Sequence, residues 1–509
     1  MPQNANLYAA FERSFASAGD RVALTLPGAR DLTYSELARG VARMANALAT
    51  LGVKPGDRVL AQVEKSVANV ELCLATLKVG AVYNPLNTAY TAAELDYFIG
   101  DAEPALVVVD RARLPRIEPI TAAHKISALA TLDPDGSGSL SDLAAKQSEA
   151  HTTVQREARD LAALIYTSGT TGRSKGAMIT HDNLSSNAET LRSYWEFKPD
   201  DVLLHALPIY HVHGLFVALN TSFLNGSRII WLDKFDLEAV MRLMPESTVM
   251  MGVPTFYTRL LGHPAFGKEH CGRMRLVISG SAPLLAETHR AFAARTGFEI
   301  LERYGMTEAG MITSNPTSGG ERLAGTVGYA LPGISVRTAT SDGEILPPGE
   351  IGVLEVKGPN VFAGYWRNPE KTKAEFRDDG YFISGDLATI ARDGRVTIVG
   401  RAKDLIISGG FNVYPKEIED ELNALQGVHE SAVVGLPHPD FGEGVVAILT
   451  VQPGAVPPTE NSVLAALSER LAKFKLPKRV FVVDELPRNA MGKVQKVDLR
   501  ARYEKTFVS

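Results

Sequence analysis

The feature that most constrains this chain is a strand, a helix and a second strand compressed into residues 58–83. Arg58-Val59-Leu60-Ala61-Gln62-Val63 reads as an apolar strand, Ala68 to Lys78 as a helix, and Ala81-Val82-Tyr83 as another strand. A helix between two strands returns the chain to its starting edge, so the strands run parallel and helices cover the sheet they join. Leu37, Val41, Met44 and Leu48 repeat at helical spacing just upstream, with Gly52 as a stop. Strand-like runs recur at Ala105–Val109, Leu161–Tyr166, Arg228–Trp231, Val249–Met251 and Leu276–Ser279. The expected fold class is α/β, built from parallel subdomains.

Beyond about Gly325 the texture changes. The β-rich pieces Gly352-Val353-Leu354-Glu355-Val356 and Arg395-Val396-Thr397-Ile398-Val399 are separated by Gly and Pro, which predicts a small antiparallel β-barrel or sheet. Residues 402–509 carry a short α+β pattern of their own. Helices are expected at Glu417–Leu425 and Ser462–Leu471, and strands at Ser431–Val434 and Val445–Val451. A chain of 509 residues is too long for one compact core. The expected division is a large N-terminal domain, 1–401, and a small C-terminal domain, 402–509.

Composition excludes several classes. Lys+Arg 53 against Asp+Glu 58 gives a net charge of −5, which leaves no global footprint for nucleic acid or an anionic membrane. Residues 471–509 are locally basic, which reads as a solvated face, with a polyphosphate contact as the minority alternative. Cys73 and Cys271 cannot build a disulfide framework or a four-cysteine zinc site, and Cys73 sits in an apolar run as a core thiol. The N-terminus has no cationic stretch leading into an apolar one, and no apolar run reaches about 18 residues. A soluble, cytoplasmic protein is expected.

Three weak matches are set aside. Asp133-Pro134-Asp135-Gly136-Ser137-Gly138 imitates a calcium loop, but Ala144 stands where a bidentate Glu is needed. Gly442-Glu443-Gly444 fits a loose dinucleotide pattern, yet it opens a strand. His211-Val212-His213 lacks the further ligands zinc requires.

The strongest chemical signal is Tyr166-Thr167-Ser168-Gly169-Thr170-Thr171-Gly172-Arg173-Ser174-Lys175-Gly176, read as following an apolar strand and preceding a helix. Its glycines let the backbone turn so that N–H groups face an anion, and hydroxyls and a lysine add donors, which suits a triphosphate. No Gly-Lys-Ser/Thr closes it, so it is not a Walker A loop. Four segments follow it in order: Tyr304-Gly305-Met306-Thr307-Glu308, Ser384-Gly385-Asp386, Gly400-Arg401-Ala402-Lys403-Asp404 and Pro487-Arg488-Asn489-Ala490-Met491-Gly492-Lys493. Together these resemble the adenylate-forming superfamily of acyl-CoA synthetases, peptide-synthetase adenylation domains and beetle luciferases.

The resemblance implies an AMP-forming acid–thiol ligase. ATP and a carboxylate give an acyl-adenylate and pyrophosphate, and CoA then displaces AMP. A carboxylate is a poor electrophile and its mixed anhydride a good one. Both steps build charge on phosphate oxygens, so electrostatic stabilisation dominates.

By position, the resemblance implies that Lys493 bridges the attacking carboxylate and the α-phosphate. Acetylating it would delete that charge. Glu308 is implied as a Mg2+ ligand with Thr167 beside it, and Thr307 as a contact of the α-phosphate. The implied ATP contacts are Ser168, Gly169, Thr170, Thr171, Gly172 and Lys175 in the loop, then Ala282, Pro283, Glu302, Arg303 and Tyr304, the last stacked on adenine. Asp386 takes the ribose hydroxyls with Arg401 as its partner. Lys403 falls at the hinge about which the C-terminal domain turns between two poses. For CoA, Ser408, Gly409 and Gly410 match the loop beside the pantetheine tunnel, and Phe441 and Phe474 match aromatics near the nucleotide. Leu476 departs from relatives that carry an arginine there, with Lys473 and Lys475 as candidate replacements.

The acyl pocket is expected from residues 208–214, residues 252–259 and the Gly280-Ser281 turn. Pro254 suits a first helical turn, and in that helix Arg259 shares a face with Thr255 and Phe256. A fatty acid would want an apolar wall. An arginine beside a hydroxyl points instead to a second carboxylate on the substrate. With Tyr210-His211-Val212-His213-Gly214, this resembles the malonyl-CoA synthetases, which implies Arg259, Ser281 and His211 on the distal carboxylate of malonate. Methylmalonate, succinate or acetate are the alternatives within the enzyme class, and a nucleotide-binding regulator without catalysis is the alternative outside it.

Overall fold

The structure, a computed structural model, describes residues 4–126, 128–167, 174–489 and 491–507. Its strands form four sheets among those residues. In the six-stranded sheet the order is Ala128–Thr131, Leu106–Val109, Arg58–Gln62, Val82–Pro85, Leu161–Thr167 and Lys175–Thr180. All run parallel except the last. The strand–helix–strand unit at the start of the sequence is therefore present, with helix Val67–Lys78 as its crossover.

The nine-stranded sheet has six parallel strands at its centre: Val22–Thr25, Arg228–Trp231, Val202–His205, Val249–Gly252, Leu276–Ser279 and Leu301–Met306. Antiparallel Gly310–Ser314 continues it on the side that carries the active-site turn. Helix Tyr34–Thr50 begins at a capping box, Thr33 with Glu36, and buries Leu37, Val41, Met44 and Leu48. These four residues join strands of both sheets in one large apolar core.

Strand Lys175–Thr180 corrects the expectation that the Gly/Ser/Thr loop leads into a helix. Thr167 pairs with Lys175 and Tyr166 with Gly176 in an antiparallel ladder, and helix His181–Tyr194 starts only afterwards. That helix's dipole is therefore not aimed from the loop's end. Instead the ladder holds Thr167 and Lys175 opposite each other at the loop's mouth. Residues 168–173, including the implied contacts Ser168, Gly169, Thr170, Thr171 and Gly172, lie outside the described residues.

The β-rich segment forms the four-stranded antiparallel sheet Ser335–Ala339, Gly352–Lys357, Phe382–Ile390, Val396–Arg401. Its first and last strands share no pairing among the described residues, so it is the open sheet and not a closed barrel. After residue 405 a five-stranded sheet follows, built on the long hairpin Val428–His438 and Gly442–Val451. Helices Pro415–Asn423 and Glu460–Ser468 bury Ile418, Leu422, Val463 and Leu467 against it. Gly442 does open a strand. No helix among the described residues is long and apolar enough to cross a membrane.

Candidate active site

Segments far apart in sequence converge where the two parallel sheets, the antiparallel sheet and the Lys493 turn meet. Asp386 and Arg401 face each other across adjacent antiparallel strands, and the Arg401 Nε lies 2.7 Å from the Asp386 carboxylate. The Tyr304 hydroxyl donates to the other Asp386 oxygen. Burial, and then the Asp386 charge, hold the Tyr304 phenol well above its ordinary range, so it stays a donor. Gly385, at φ 71°, lets the strand present Asp386 inward.

Lys493 points into the same space. Asn489 Oδ1 accepts from the backbone N–H groups of Met491 and Lys493, both at 3.0 Å, and so closes the turn. Arg488 donates to the Gly492 carbonyl at 2.6 Å and pairs with Glu430. The Lys493 ammonium lies within electrostatic reach of Arg401, Asp386, Lys403 and Asp404, and burial pulls it down to about 8. Met491 packs into the large core of the parallel sheets. Gly492 (φ 74°) sits against Thr255, where an added Cβ would approach the Thr255 methyl to 3.0 Å.

Thr307 and Glu308 occupy the turn between Leu301–Met306 and Gly310–Ser314. The Glu308 carboxylate is buried and accepts from the Thr167 hydroxyl and the Tyr365 hydroxyl, both at 3.2 Å. Burial raises its pKa. Lys175 Nζ lies 5.4 Å from the Tyr365 ring centroid, its pKa lowered first by burial and then by Lys371. Sequence reasoning missed Tyr365, which has no motif around it to mark it. A buried carboxylate beside a hydroxyl is a hard-oxygen donor pair. No group of three or more His, Cys, Asp or Glu at ligand distance exists among the described residues. That set fits Mg2+, which takes one or two carboxylates and completes its shell with phosphate oxygens and water.

The acyl side departs from expectation. Arg259 lies on helix Pro254–Gly262 but is exposed. The helix buries Phe256, Tyr257 and Leu260, and Arg259 falls just outside that face. Its guanidinium rests 5.9 Å from the Phe235 ring centroid, with Phe235 stacked on Phe256.

A different arginine, Arg303, is buried. It is 2 % exposed, and its Nε and Nη2 have no hydrogen-bond partner among the described residues. Its guanidinium lies under the Gly280 turn, where a Cβ on Gly280 would come within 2.3 Å of Cζ. His211, His213 and Tyr257 feel its charge. Burial, then Arg303, pushes His211 to about 4 and holds His213 well below the ordinary range, so both imidazoles are neutral. Burial lowers Arg303 itself to about 9, which leaves it a cation at neutral pH. Ser281 holds φ 71°, a left-handed conformation rare for a residue with a side chain, and its Oγ lies 3.1 Å from His213 Nδ1. His213 thus reaches Ser281, while His211 Nδ1 accepts the His213 backbone N–H at 3.2 Å.

Arg303 thus lies among His211, His213 and Tyr257. Its neighbour Glu302 points to the other sheet face, where Oε1 accepts the Leu284 N–H at 3.2 Å and steadies the Ala282-Pro283 turn. Burial pushes Glu302 up to about 8.

Lys403 is exposed in the short turn Ala402–Asp404, and Asp404 is tied to Arg500 at 2.6 Å. Gly409 and Gly410, both at positive φ, make the two-residue turn between Ile406–Ser408 and Phe411–Val413. Ser408 is buried at its start. Phe441 packs beside Gly409, whose N–H donates to the Phe441 carbonyl at 2.8 Å. Phe474 stacks on Phe411 at 4.6 Å, an exposed aromatic the sequence reading had not singled out. Lys475 is paired with Glu417 at 2.5 Å, and Lys473 is exposed.

The architecture and these clusters define a nucleotide-dependent carboxylate-activating class, and comparison with known proteins gives the family. The AMP-binding enzyme family matches residues 11–366, and the AMP-binding enzyme C-terminal domain matches residues 417–493. A feruloyl-CoA synthase of Amycolatopsis sp is 36% identical over 94% of this chain and 95% of its own. A malonate–CoA ligase of Arabidopsis thaliana is 33% identical over 99% of this chain and 90% of its own. The crystal structure of ATP-bound MatB from Rhodopseudomonas palustris is 56% identical, covers 99% of this chain and 100% of its own, and superposes with TM-score 0.96. Its apo form gives 0.86, so the arrangement here is the more similar to the ATP-bound one.

The chain belongs to the AMP-binding, adenylate-forming enzyme family. Within it the chain is an AMP-forming ligase close to the malonyl-CoA synthetases.

Proposed function

We propose that the protein is a malonate–CoA ligase, which forms malonyl-AMP and pyrophosphate from malonate and ATP, then malonyl-CoA and AMP from CoA. The observation that carries the substrate is Arg303, a buried guanidinium with no anion paired to it among the described residues. A buried unpaired charge is costly, and a substrate carboxylate would satisfy it with charge-assisted hydrogen bonds. Ser281 and the neutral His213 stand beside it as polar partners. The malonate–CoA ligases and MatB among the relatives support the same reading.

In the first half-reaction a carboxylate oxygen attacks the α-phosphorus as the bond to pyrophosphate breaks. Lys493, held between Asp386 and Arg401, neutralises the charge that gathers on those oxygens. Asp386 accepts from the ribose hydroxyls, with Arg401 and Tyr304 fixing its two oxygens. Thr167 and Glu308 would hold Mg2+, which when bound neutralises phosphate charge. In the second half-reaction the CoA sulfur attacks the acyl carbon and AMP leaves. Two chemistries at one site require the C-terminal domain to turn, and we place the hinge at Lys403 and the division at residue 402. Ser408, Gly409, Gly410, Phe441 and Phe474 then form the CoA face. Acetylation of Lys493 would silence adenylation, and a cytoplasmic setting suits these substrates.

The test is ATP–pyrophosphate exchange with a panel of acids: malonate, methylmalonate, succinate, acetate and ferulate. Malonate should lead acetate and ferulate by roughly 10²-fold or more, because a site built around a polar partner rejects acids that leave it unpaired. Equal exchange with acetate would remove the malonate assignment. One extra methyl is worth only about 1–3 kcal/mol, so methylmalonate should follow malonate closely.

A further inference from the structure

A second buried basic side chain, Lys65, stands apart from Arg303. Lys65 follows strand Arg58–Gln62 and is 8 % exposed, with no carboxylate paired to it among the described residues. Its Nζ has three acceptors: the Leu232 carbonyl at 2.5 Å, the His205 carbonyl at 3.0 Å and His205 Nδ1 at 2.8 Å. Three acceptors need three N–H bonds, which only the ammonium form has. The ammonium also lies 4.3 Å from the Trp231 ring centroid, and His205 is stacked on that indole at 5.3 Å.

The acceptor role of His205 Nδ1 fixes the imidazole proton on Nε2. Nε2 in turn lies 3.0 Å from the Gly214 carbonyl, which can only accept. Gly214 is pressed so close to Pro208 that an added Cβ would sit 2.1 Å from the Pro208 carbonyl oxygen. It is the second residue of the π-type turn His213–Leu219, a widened helix that leaves backbone groups in need of outside partners. The preceding residue, His213, is the one that reaches Ser281. The contacts therefore run unbroken from Lys65 through His205 and Gly214 to the polar partners of Arg303.

We propose that Lys65 is a positioning residue for the acyl pocket: by fixing the His205 tautomer it pins Gly214 and so sets His213 against Ser281. Lys65 touches neither ATP nor the acid. The specificity it serves rests on the acyl pocket proposed above. Removing it frees the imidazole to place its proton on Nδ1, toward the now vacant acceptors, and the Gly214 tether is lost.

The test compares wild type with Lys65→Met. In the variant KM for the acid wild type prefers should rise roughly 10–100-fold, the effect of removing a partner that orients a ligand-contacting group, with KM for ATP within about twofold. In parallel, two-bond proton–nitrogen correlations on histidine-labelled enzyme should show His205 as the Nε2–H tautomer in wild type and altered in the variant. Equal changes in both KM values, or none, would overturn the proposal. So would an Nδ1–H tautomer in wild type, a measurement that stands even if Lys65→Met does not fold. The NMR measurement needs no acid, so a wrong acid assignment and a wrong role for Lys65 give different results.

Discussion

Two arginines, Arg259 and Arg303, sit in opposite surroundings. Arg259 stands on the outer flank of a helix, in water, and its contact is the face of Phe235. Arg303 stands on the last of the six parallel strands, buried, with two nitrogen atoms that have no hydrogen-bond partner among the described residues. Two half-buried arginines do have carboxylate partners: Arg275 lies 2.7 Å from Asp201 and Arg337 2.7 Å from Glu355. Those pairs are structural. An exposed guanidinium costs little to leave alone, whereas a buried one without an anion is maintained at a cost that only a ligand offsets. In the proposed reading, the missing partner is what marks Arg303 as the ligand-binding charge.

The largest expected effect separates the two arginines directly. Arg303→Met should cut malonate-dependent pyrophosphate exchange by roughly 10²–10⁵-fold. Its ligand-free Tm should stay level or rise, because the variant replaces an uncompensated buried charge. A large drop in Tm would mean that Arg303 is structural after all. Lys493→Ala comes next, with adenylation lowered by about 10²–10³-fold and thioester formation from supplied malonyl-AMP largely kept. Loss of both half-reactions would place Lys493 in a general role. Asp386→Asn should raise KM for ATP roughly 10–100-fold, since hydrogen bonds to a charged group are worth about 1.5–3 kcal/mol. Its malonate dependence should be unchanged.

The pH response follows with a smaller effect. Lys493 acts as a cation and burial holds it at about 8, so adenylation kcat/KM should fall about tenfold per pH unit above that value. Stability moves the other way. Between that value and lysine's ordinary one the unfolded chain binds the proton and the folded chain does not, so unfolding free energy gains from this group as pH rises. A flat rate profile to pH 10 would contradict the burial of the ammonium. The smallest effect belongs to Arg259→Ala, whose exchange rates with malonate should stay within about twofold and whose stability should stay within about 0.5 kcal/mol.

The sequence disclosed the parallel architecture because strand and helix periods alternate cleanly through residues 58–83. It disclosed the nucleotide side because Thr167, Glu308, Asp386, Arg401 and Lys493 each sit in a distinctive segment. The structure then brings these segments together. The acyl side was less legible. Helical spacing put Arg259 on a face with Thr255 and Phe256, but spacing does not say which residues tertiary packing buries, and Phe256 is buried while Arg259 is exposed. Arg303 was visible as a charge within an apolar strand, next to Glu302. Period-two alternation sends those neighbours to opposite faces of the sheet, so a shared motif need not mean a shared site. Strand Lys175–Thr180 was missed because Lys175-Gly176-Ala177-Met178-Ile179-Thr180 runs straight into a capped helix, and short apolar runs do not distinguish the two periods.

The most direct measurement is a crystal structure with malonate and a non-hydrolysable ATP analogue. The expected result places the distal carboxylate on the Arg303 guanidinium beneath Gly280, with Ser281 alongside and Arg259 still in solvent. A carboxylate held by Arg259, with Arg303 left without an anion, would contradict the assignment.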